Sequence, residues 1–206
     1  MIGVIDYGMG NLYSLGKALE RLSCAYELAS EAEKLDRYDG LILPGVGAFG
    51  DAMRNIRTLG LETPIRRYAE SGRPILGICL GMQLLFTASE EHGQHEGLHL
   101  LAGEAVRFRG DFKVPHMGWN QLRLKKANHP LLAEVRDGDY VYFVHSYHVR
   151  VQDDADLLAI TDYHQDVTAI VARGNVYGMQ FHPEKSGETG MRLLANFAGL
   201  CEGVLR

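Results

Sequence analysis

The sequence predicts an α/β fold in which a largely parallel central sheet lies between layers of helices. Three short apolar runs, in "IGVID", "GLILPG" and "RPILGIC", lead into glycine-containing turns, and segments with helical spacing of apolar residues follow. Strands that alternate with helices in this way form βαβ units with a parallel sheet. The second half has six strand-like segments with little helix between them, which predicts a mixed or antiparallel extension of the same sheet.

The elements of the first half follow one another in a regular order. The first strand, "IGVID", ends in the turn "YGMGN", and a helix follows in "LYSLGKALERL". Its apolar positions have helical spacing: Leu12, Leu15, Leu19 and Leu22. A later helix in "LGLETPIRRYAESG" is expected to begin near Pro64 and to end at Gly72. The stretch "GICLGMQLLF" then predicts a sharp corner between a strand and a further helix.

The strands expected in the second half are "EAVRF", "NQLRL", "YVYFVHSYHVR", "LLAITDY", "TAIVARG" and "VYGMQFH". The last segment, "GMRLLANFAGLCEGVL", reads as a closing amphipathic helix. The chain contains no repeat, low-complexity tract or linker-like stretch, so we expect a single domain over residues 1–206.

Composition narrows the classes of partner and compartment. The 206 residues carry a formal net charge of −5 and no basic run, which argues against nucleic acid and membrane surfaces as partners. No segment approaches the ~20 apolar residues of a membrane span, and the start lacks the features of a signal peptide. Three widely spaced cysteines, Cys24, Cys79 and Cys201, do not suggest a disulfide framework. We therefore expect a reducing, cytoplasmic compartment.

A cysteine stands at the strand-to-helix corner, in the pattern G-x-C-x-G from Gly77 to Gly81. With serine in place of cysteine this is the nucleophile-elbow pattern, in which a strained turn lifts the side chain clear of the sheet. At a helix N-terminus the dipole favours the thiolate of Cys79, and the Leu80 N–H is an oxyanion donor candidate. The alternative is a buried cysteine at a tight packing point.

A general base is expected in "VYGMQFHPEKSG", where an apolar strand ends in His-Pro-Glu. Residues i and i+2 of an extended chain face the same way, and Pro183 disfavours α conformation at His182. His182 and Glu184 can therefore project together, as base and orienting carboxylate for Cys79. The alternative is a strand-terminal histidine that pairs with a carboxylate by chance.

The other histidines carry weaker predictions. His92, His95 and His99 in "EEHGQHEGLHLL" invite a metal site, but the glycines and the polarity favour a solvated loop, and we predict no metal and no cofactor. His145 and His148 flank "SY" at a strand end, where they line a site or are structural.

With "GICLGMQLLF" and "GMQFHPEKSG", the sequence resembles the class I (triad-type) glutamine amidotransferases along its whole length. "LPGVGAFGDAM" is similar to the oxyanion loop of that family, and "VPHMGWN" and "YFVHSYH" resemble the glutaminase subunits of imidazole glycerol phosphate synthases. This resemblance implies the flavodoxin-like, three-layer fold of the class I amidotransferases. It also implies that Cys79, His182 and Glu184 hydrolyse glutamine to glutamate and ammonia through a glutamyl thioester.

The resemblance implies roles for further residues. The oxyanion is held by backbone N–H groups of Leu80 and of the region of Val46 and Gly47. The glutamine pocket is formed by Gly47, Gln83, His145, Ser146 and Tyr147. For docking to a partner the resemblance implies Met117 and Trp119, and, less firmly, Asn11, Tyr142 and Lys185. For Trp119 the alternative is burial in the core.

The implied partner is the cyclase subunit, a (β/α)8 barrel that forms a heterodimer with the glutaminase and takes its ammonia directly. The products of that complex are imidazole glycerol phosphate, aminoimidazole carboxamide ribotide and glutamate. We expect low activity of the isolated subunit and activation on docking. Alternatives are a free-standing cysteine hydrolase acting on γ-glutamyl amides, a pseudo-glutaminase that only scaffolds a synthase, and a structural protein with an incidental thiol.

Overall fold

The fold comes from a computed structural model, which describes residues 1–204. The described strands are β1 (Ile2–Ile5), β2 (Tyr26–Ala29), β3 (Gly40–Leu43), β4 (Ile75–Ile78), β5 (Ala88–Ser89), β6 (His95–Glu96), β7 (Gly103–Arg107), β8 (His116–Gln121), β9 (Arg123–Leu124), β10 (Tyr140–His145), β11 (Tyr147–Val151), β12 (Leu157–Asp162), β13 (Asp166–Arg173) and β14 (Val176–Met179). The α-helices are α1 (Leu12–Arg21), α2 (Phe49–Thr58), α3 (Glu62–Glu70), α4 (Leu80–Leu84) and α5 (Gly187–Cys201).

Within residues 1–204 the central sheet has eight strands in the order β2-β1-β3-β4-β14-β13-β12-β9. The first five strands in this order, β2, β1, β3, β4 and β14, are parallel to one another. The strands β13, β12 and β9 continue the sheet from β14 with antiparallel pairing. The predicted parallel sheet with an antiparallel extension is thus confirmed. The strand β14 lies in the middle of the sheet, between β4 and β13.

Helices cover both faces of this sheet and give three layers. The strands alternate their side chains, so Val4 and Ile42 pack in a core with α1 and α5, whereas Ile5 and Leu41 pack in a second core with α2 and α3. The predicted stripe on α1 is observed, since Leu15 and Leu19 are buried. In residues 1–204 no helix has the length and apolar character that a bilayer span requires.

The second half differs from the expectation in one respect. Four of its strands lie outside the central sheet: β8 pairs with β10 in a two-stranded ribbon, and β7 and β11 join β5 and β6 in a small four-stranded sheet. A period of two in the sequence marks a strand but does not say which sheet it joins. The short strand β2, whose burial is mixed, was not predicted either.

The boundaries of one helix also differ from the prediction. The helix expected from Pro64 to Gly72 runs from Glu62 to Glu70, with the proline inside its first turn, where a missing N–H costs no helical hydrogen bond. The helix after the cysteine corner, α4, has five residues. Its dipole is correspondingly small.

Candidate active site

The predicted corner is formed by Cys79, which stands between β4 and α4 with φ 55° and ψ −115°. This backbone conformation is strained for any residue with a Cβ atom. The flanking glycines are required by close backbone contacts: a Cβ on Gly81 would lie 1.8 Å from the Leu43 oxygen, and one on Gly77 would lie 2.6 Å from the Gly81 oxygen. The Cys79 N–H donates to the Met179 oxygen at 2.7 Å. The corner is therefore held against the end of β14.

That strand end carries His182 and Glu184. The Nδ1 atom of His182 lies 2.9 Å from Oε1 of Glu184, and both side chains are about 95% buried (5% and 4% exposed). His182 itself is extended, with ψ 100°, as the following proline predicts. Residues Pro183–Lys185 form a 3-10 turn, so the two side chains meet through a turn and not, as predicted, along an extended strand.

The pairing of β14 with β4 brings Cys79 and His182 to the same edge of the sheet. Met179 is in register with Ile78, so both chains leave the sheet at the same edge. Burial alone lowers the pKa of His182, but hydrogen bonds to Cys79 and Glu184, with the charges of both, raise it to about 10. An imidazolium beside a cysteine is an arrangement that favours the thiolate form in proteins.

The glycine-rich loop after β3 approaches the corner from the other side. The Tyr7 hydroxyl donates to the Pro44 oxygen at 2.8 Å. A Cβ on Gly45 would lie 2.7 Å from the Tyr7 hydroxyl and 2.9 Å from the Gly81 nitrogen, so only glycine fits between them. Gly47 has φ +96°. Val46, Gly47 and Leu80, the three predicted oxyanion residues, line one cavity together with Cys79 and His182.

This cavity has a volume of about 380 Å³, and all of the predicted pocket residues line it: Gly47, Gln83, His145, Ser146 and Tyr147. Gln83 is buried, and its Nε2 donates to the Tyr147 oxygen at 3.0 Å and to Oε1 of Gln180 at 3.1 Å. Both amide hydrogens are thereby engaged. The amide oxygen is the polar atom that Gln83 offers to a ligand.

His145 forms a wall of the cavity, but neither of its ring nitrogens is available to a ligand. Its Nδ1 lies 2.8 Å from the Tyr147 oxygen, and its Nε2 lies 3.0 Å from Nδ1 of His116. Both ring nitrogens are therefore engaged within the protein. Burial is the largest influence on its pKa and, outweighing the bond to Tyr147, lowers it to about 3, so the ring is neutral.

Sequence reasoning missed Gln180, which contacts Cys79 from behind the cavity lining, and Glu91, which belongs to that lining. Gln180 is fully buried, and its Nε2 lies 3.9 Å from Sγ of Cys79; it stands two residues before His182, a spacing that an extended strand makes informative. Glu91 lines the cavity, and its Oε2 accepts a hydrogen bond from the Phe49 N–H at 2.8 Å. Glu91 belongs to the loop that was expected to be solvated, and no pattern in that loop marks it.

The residues predicted for docking lie mostly on the surface. Met117 and Trp119 are each 56% exposed, so the alternative of core burial for Trp119 is wrong. The ring of Tyr142, which is partly buried, meets that of Trp119 edge to face at 5.9 Å. Lys185 is exposed and shares with Trp119 a groove of about 1080 Å³. Asn11 caps α1, since its Oδ1 accepts from the Ser14 N–H at 3.3 Å.

The histidines of the loop around residue 95 do not form a metal centre in the structure. Among residues 1–204, no group of three histidine, cysteine, aspartate or glutamate side chains is arranged to hold a metal ion.

A known protein family and individual proteins of known name are similar to this chain over nearly its whole length. The family model "Glutamine amidotransferase class-I" matches residues 3–200. A protein of Geobacillus kaustophilus named imidazole glycerol phosphate synthase subunit HisH is 56% identical over 209 residues, which cover 98% of each chain. A protein of the same name in Halalkalibacterium halodurans is 53% identical over 208 residues, 98% of this chain and 97% of the relative.

Solved structures share the fold at lower identity. A crystal structure described as a glutamine amidotransferase superimposes with a TM-score of 0.77 at 23% identity and covers 98% of both chains. A structure of PurLQS from Thermotoga maritima gives a TM-score of 0.75 at 23% identity, covering 97% of both chains. At this identity the likeness concerns the three-layer architecture alone.

Proposed function

The chain belongs to the class I glutamine amidotransferases, and we propose that it is the glutaminase subunit of an imidazole glycerol phosphate synthase in histidine biosynthesis. One observation carries the proposal: a cysteine at a strained corner, a buried His–Glu pair and a glycine-rich loop converge on one cavity in a chain 56% identical to a protein of that name. A cavity of about 380 Å³ suits a substrate the size of glutamine.

In the proposed reaction the Cys79 thiolate attacks the side-chain amide carbon of glutamine. The oxyanion that forms is stabilised by the N–H of Leu80 and by N–H groups of Val46 and Gly47. His182, oriented by Glu184, donates its proton to the departing nitrogen, the C–N bond breaks, and ammonia leaves while a glutamyl thioester remains on Cys79. The neutral His182 then takes a proton from water, which attacks the thioester, releases glutamate and restores the thiolate.

The cavity offers matching groups for the rest of the substrate. The amide oxygen of Gln83 and the carboxylate of Glu91 are acceptors that suit the α-ammonium group of glutamine. Ser146 and Tyr147 also line the cavity, and the Tyr147 oxygen accepts from Gln83. Because Glu91 also binds the N–H of Phe49, at the start of α2, substrate binding is tied to the loop that precedes this helix.

Ammonia is the useful product, so a partner that takes it directly is part of the proposal. An exposed tryptophan and methionine on β8 support docking, because large apolar side chains anchor protein interfaces. The partner is the cyclase subunit, a (β/α)8 barrel, and docking activates glutamine hydrolysis. Asn11, Tyr142 and Lys185 complete the proposed docking surface.

The test is glutamate release from glutamine by the purified chain, with and without the cyclase subunit and its nucleotide ligand. We expect stimulation of about ten-fold or more, equivalent to about 1.4 kcal/mol in the barrier, and no release by Cys79→Ala. Equal and fast release in both conditions would instead identify a free-standing hydrolase. Stimulation of the cyclase by Cys79→Ala in the presence of glutamine would identify a scaffold without glutaminase chemistry.

A further inference from the structure

A continuous set of hydrogen bonds joins the exposed strand β8 to the nucleophile. On one face β8 presents Met117 and Trp119 to solvent, and on the other face it directs His116 and Asn120 inward. His116 is 2% exposed and is paired in register with His145 of β10. The inward face of the strand thus contacts the wall of the glutamine cavity.

The direction of each bond near β8 follows from backbone groups. The Gln121 N–H donates to Oδ1 of Asn120 at 2.8 Å, and Nδ2 of Asn120 donates to the Asp162 oxygen at 2.7 Å. The same Nδ2 lies 3.2 Å from Nε2 of His116, which must therefore accept. In a neutral ring Nδ1 then carries the proton, so it donates to Nε2 of His145 at 3.0 Å.

The same logic applies from the nucleophile's side. The Tyr147 oxygen can only accept, so it receives Nδ1–H of His145 and also Nε2–H of Gln83. The second hydrogen of Gln83 Nε2 needs an acceptor, so the oxygen Oε1 of Gln180 faces it. The other end of the Gln180 amide, Nε2, is then directed at Sγ of Cys79. The two starting points, the Gln121 N–H and the Tyr147 oxygen, therefore give one consistent arrangement of these side chains.

Burial supports the neutral state that this arrangement needs. It lowers the pKa of His116 to about 4 and is the dominant influence that lowers the pKa of His145 to about 3. A second proton on either ring would set two N–H groups against each other. Because the donor direction reverses at the Tyr147 oxygen, the set cannot carry a proton from end to end. Its role is to orient side chains.

We propose that His116 is a positioning residue that couples β8 to the geometry of the glutamine cavity and of Cys79. By donating to Nε2 of His145, His116 holds the ring whose Nδ1–H binds the Tyr147 oxygen, and the same oxygen receives Nε2–H of Gln83, which is bonded in turn to Gln180. A protein that docks on Met117 and Trp119 contacts β8, the strand that also carries His116. The inference rests on the proposed function for the identity of the substrate and partner, but the orientation of Cys79 can be measured without either.

The chain offers a matched control in His148. It is also a buried histidine, stacked on Phe108 at 4.6 Å, but it does not line the cavity that contains Cys79. Burial is the main influence that lowers its pKa to about 4. Its Nε2 faces Gln165 at 3.4 Å and takes no part in the bonds described above. His116→Phe and His148→Phe remove similar rings, but only the first interrupts the set.

The first measurement is alkylation of Cys79 by iodoacetamide in the isolated chain, followed peptide by peptide. We expect His116→Phe to react about five-fold more slowly than the wild type, the size expected for a lost hydrogen bond between neutral groups, and His148→Phe to react at the wild-type rate. Asn120→Ala, at a partly exposed position, should show a smaller loss and serves if His116→Phe does not fold. Equal rates in all four proteins would overturn the inference.

The second measurement is the ratio of glutamate release with and without the cyclase subunit. A packing defect lowers both rates, whereas loss of coupling lowers the ratio. We expect the ratio to fall in His116→Phe and to be kept in His148→Phe; an unchanged ratio in His116→Phe overturns the coupling. If the wild type releases no glutamate, the proposed function fails, and the alkylation rates alone still decide the role of His116.

Discussion

The strained backbone at Cys79 predicts an unusual order of stability for two variants of this residue. With φ 55° and ψ −115°, this position suits glycine, and any residue with a Cβ atom pays a conformational penalty. Such strain costs about 1–3 kcal/mol, whereas the extra freedom of glycine in the unfolded chain costs about 0.4–1 kcal/mol. We therefore expect Cys79→Gly to be about 1 kcal/mol more stable than Cys79→Ala.

For a chain of 206 residues this difference raises Tm by about 2–4 °C. Scanning calorimetry of both variants in one buffer measures it. The control is Ala18, which lies within α1, where the helical backbone favours alanine. Ala18→Gly should lower the free energy of unfolding by about 1 kcal/mol. A Cys79→Ala variant that melts above Cys79→Gly by the margin seen at Ala18 would refute the reasoning, because the corner would then store no strain.

Three further outcomes are expected. Tyr7→Phe removes the hydrogen bond to the Pro44 carbonyl at the start of the proposed oxyanion loop, so kcat for glutamine should fall about five- to ten-fold with KM little changed. The control Tyr68→Phe removes a hydroxyl that is bonded at 2.9 Å to the Tyr38 carbonyl, and it should keep kcat. Equal losses of kcat in the two variants would count against a role of Tyr7 in the loop. Because the pKa of His182 is raised from 6.5 to about 10, its stabilising contribution is complete below pH 6.5 and is lost as pH rises through about 10. The urea midpoint should fall across this window, and should fall at lower pH in Glu184→Gln; identical curves would contradict the assignment of the pKa shift. Gly81→Ala places a Cβ 1.8 Å from a carbonyl oxygen of β3, and should lower the free energy of unfolding by about 3 kcal/mol or more, measured by denaturant; a loss below about 1 kcal/mol would mean that the corner can move.

The strands β1, β3 and β4 of the parallel half were predictable because each is a continuous apolar run followed by a glycine-containing turn. The corner at Cys79 was predictable as well, because glycines at positions 77 and 81 on either side of a cysteine indicate a sharp turn between a strand and a helix. The pairing of His182 with Glu184 was predictable from their spacing. The turn through which they meet was not, because proline fixes its own φ and the residue before it, but not the residue after it.

The wall of the cavity shows where sequence reasoning ends. His145 was placed correctly in the cavity, but its two nitrogens are engaged by a carbonyl two residues away and by His116, on a different strand. A partner set by strand register is visible only once β8 and β10 are paired. Glu91 lies in a loop without periodicity, so nothing in the local pattern marks it as part of the cavity.

The central place of β14 has a consequence for how the protein is made. On the ribosome β4 emerges long before β14, since residues 79–175 lie between them. During that interval the apolar strand "ILGI" has a partner in β3 on one side and an open edge on the other. Unpaired apolar edges recruit other chains. Translation products that stop before Val176 should therefore aggregate, and synthesis of this protein should depend on chaperones that shield nascent β4.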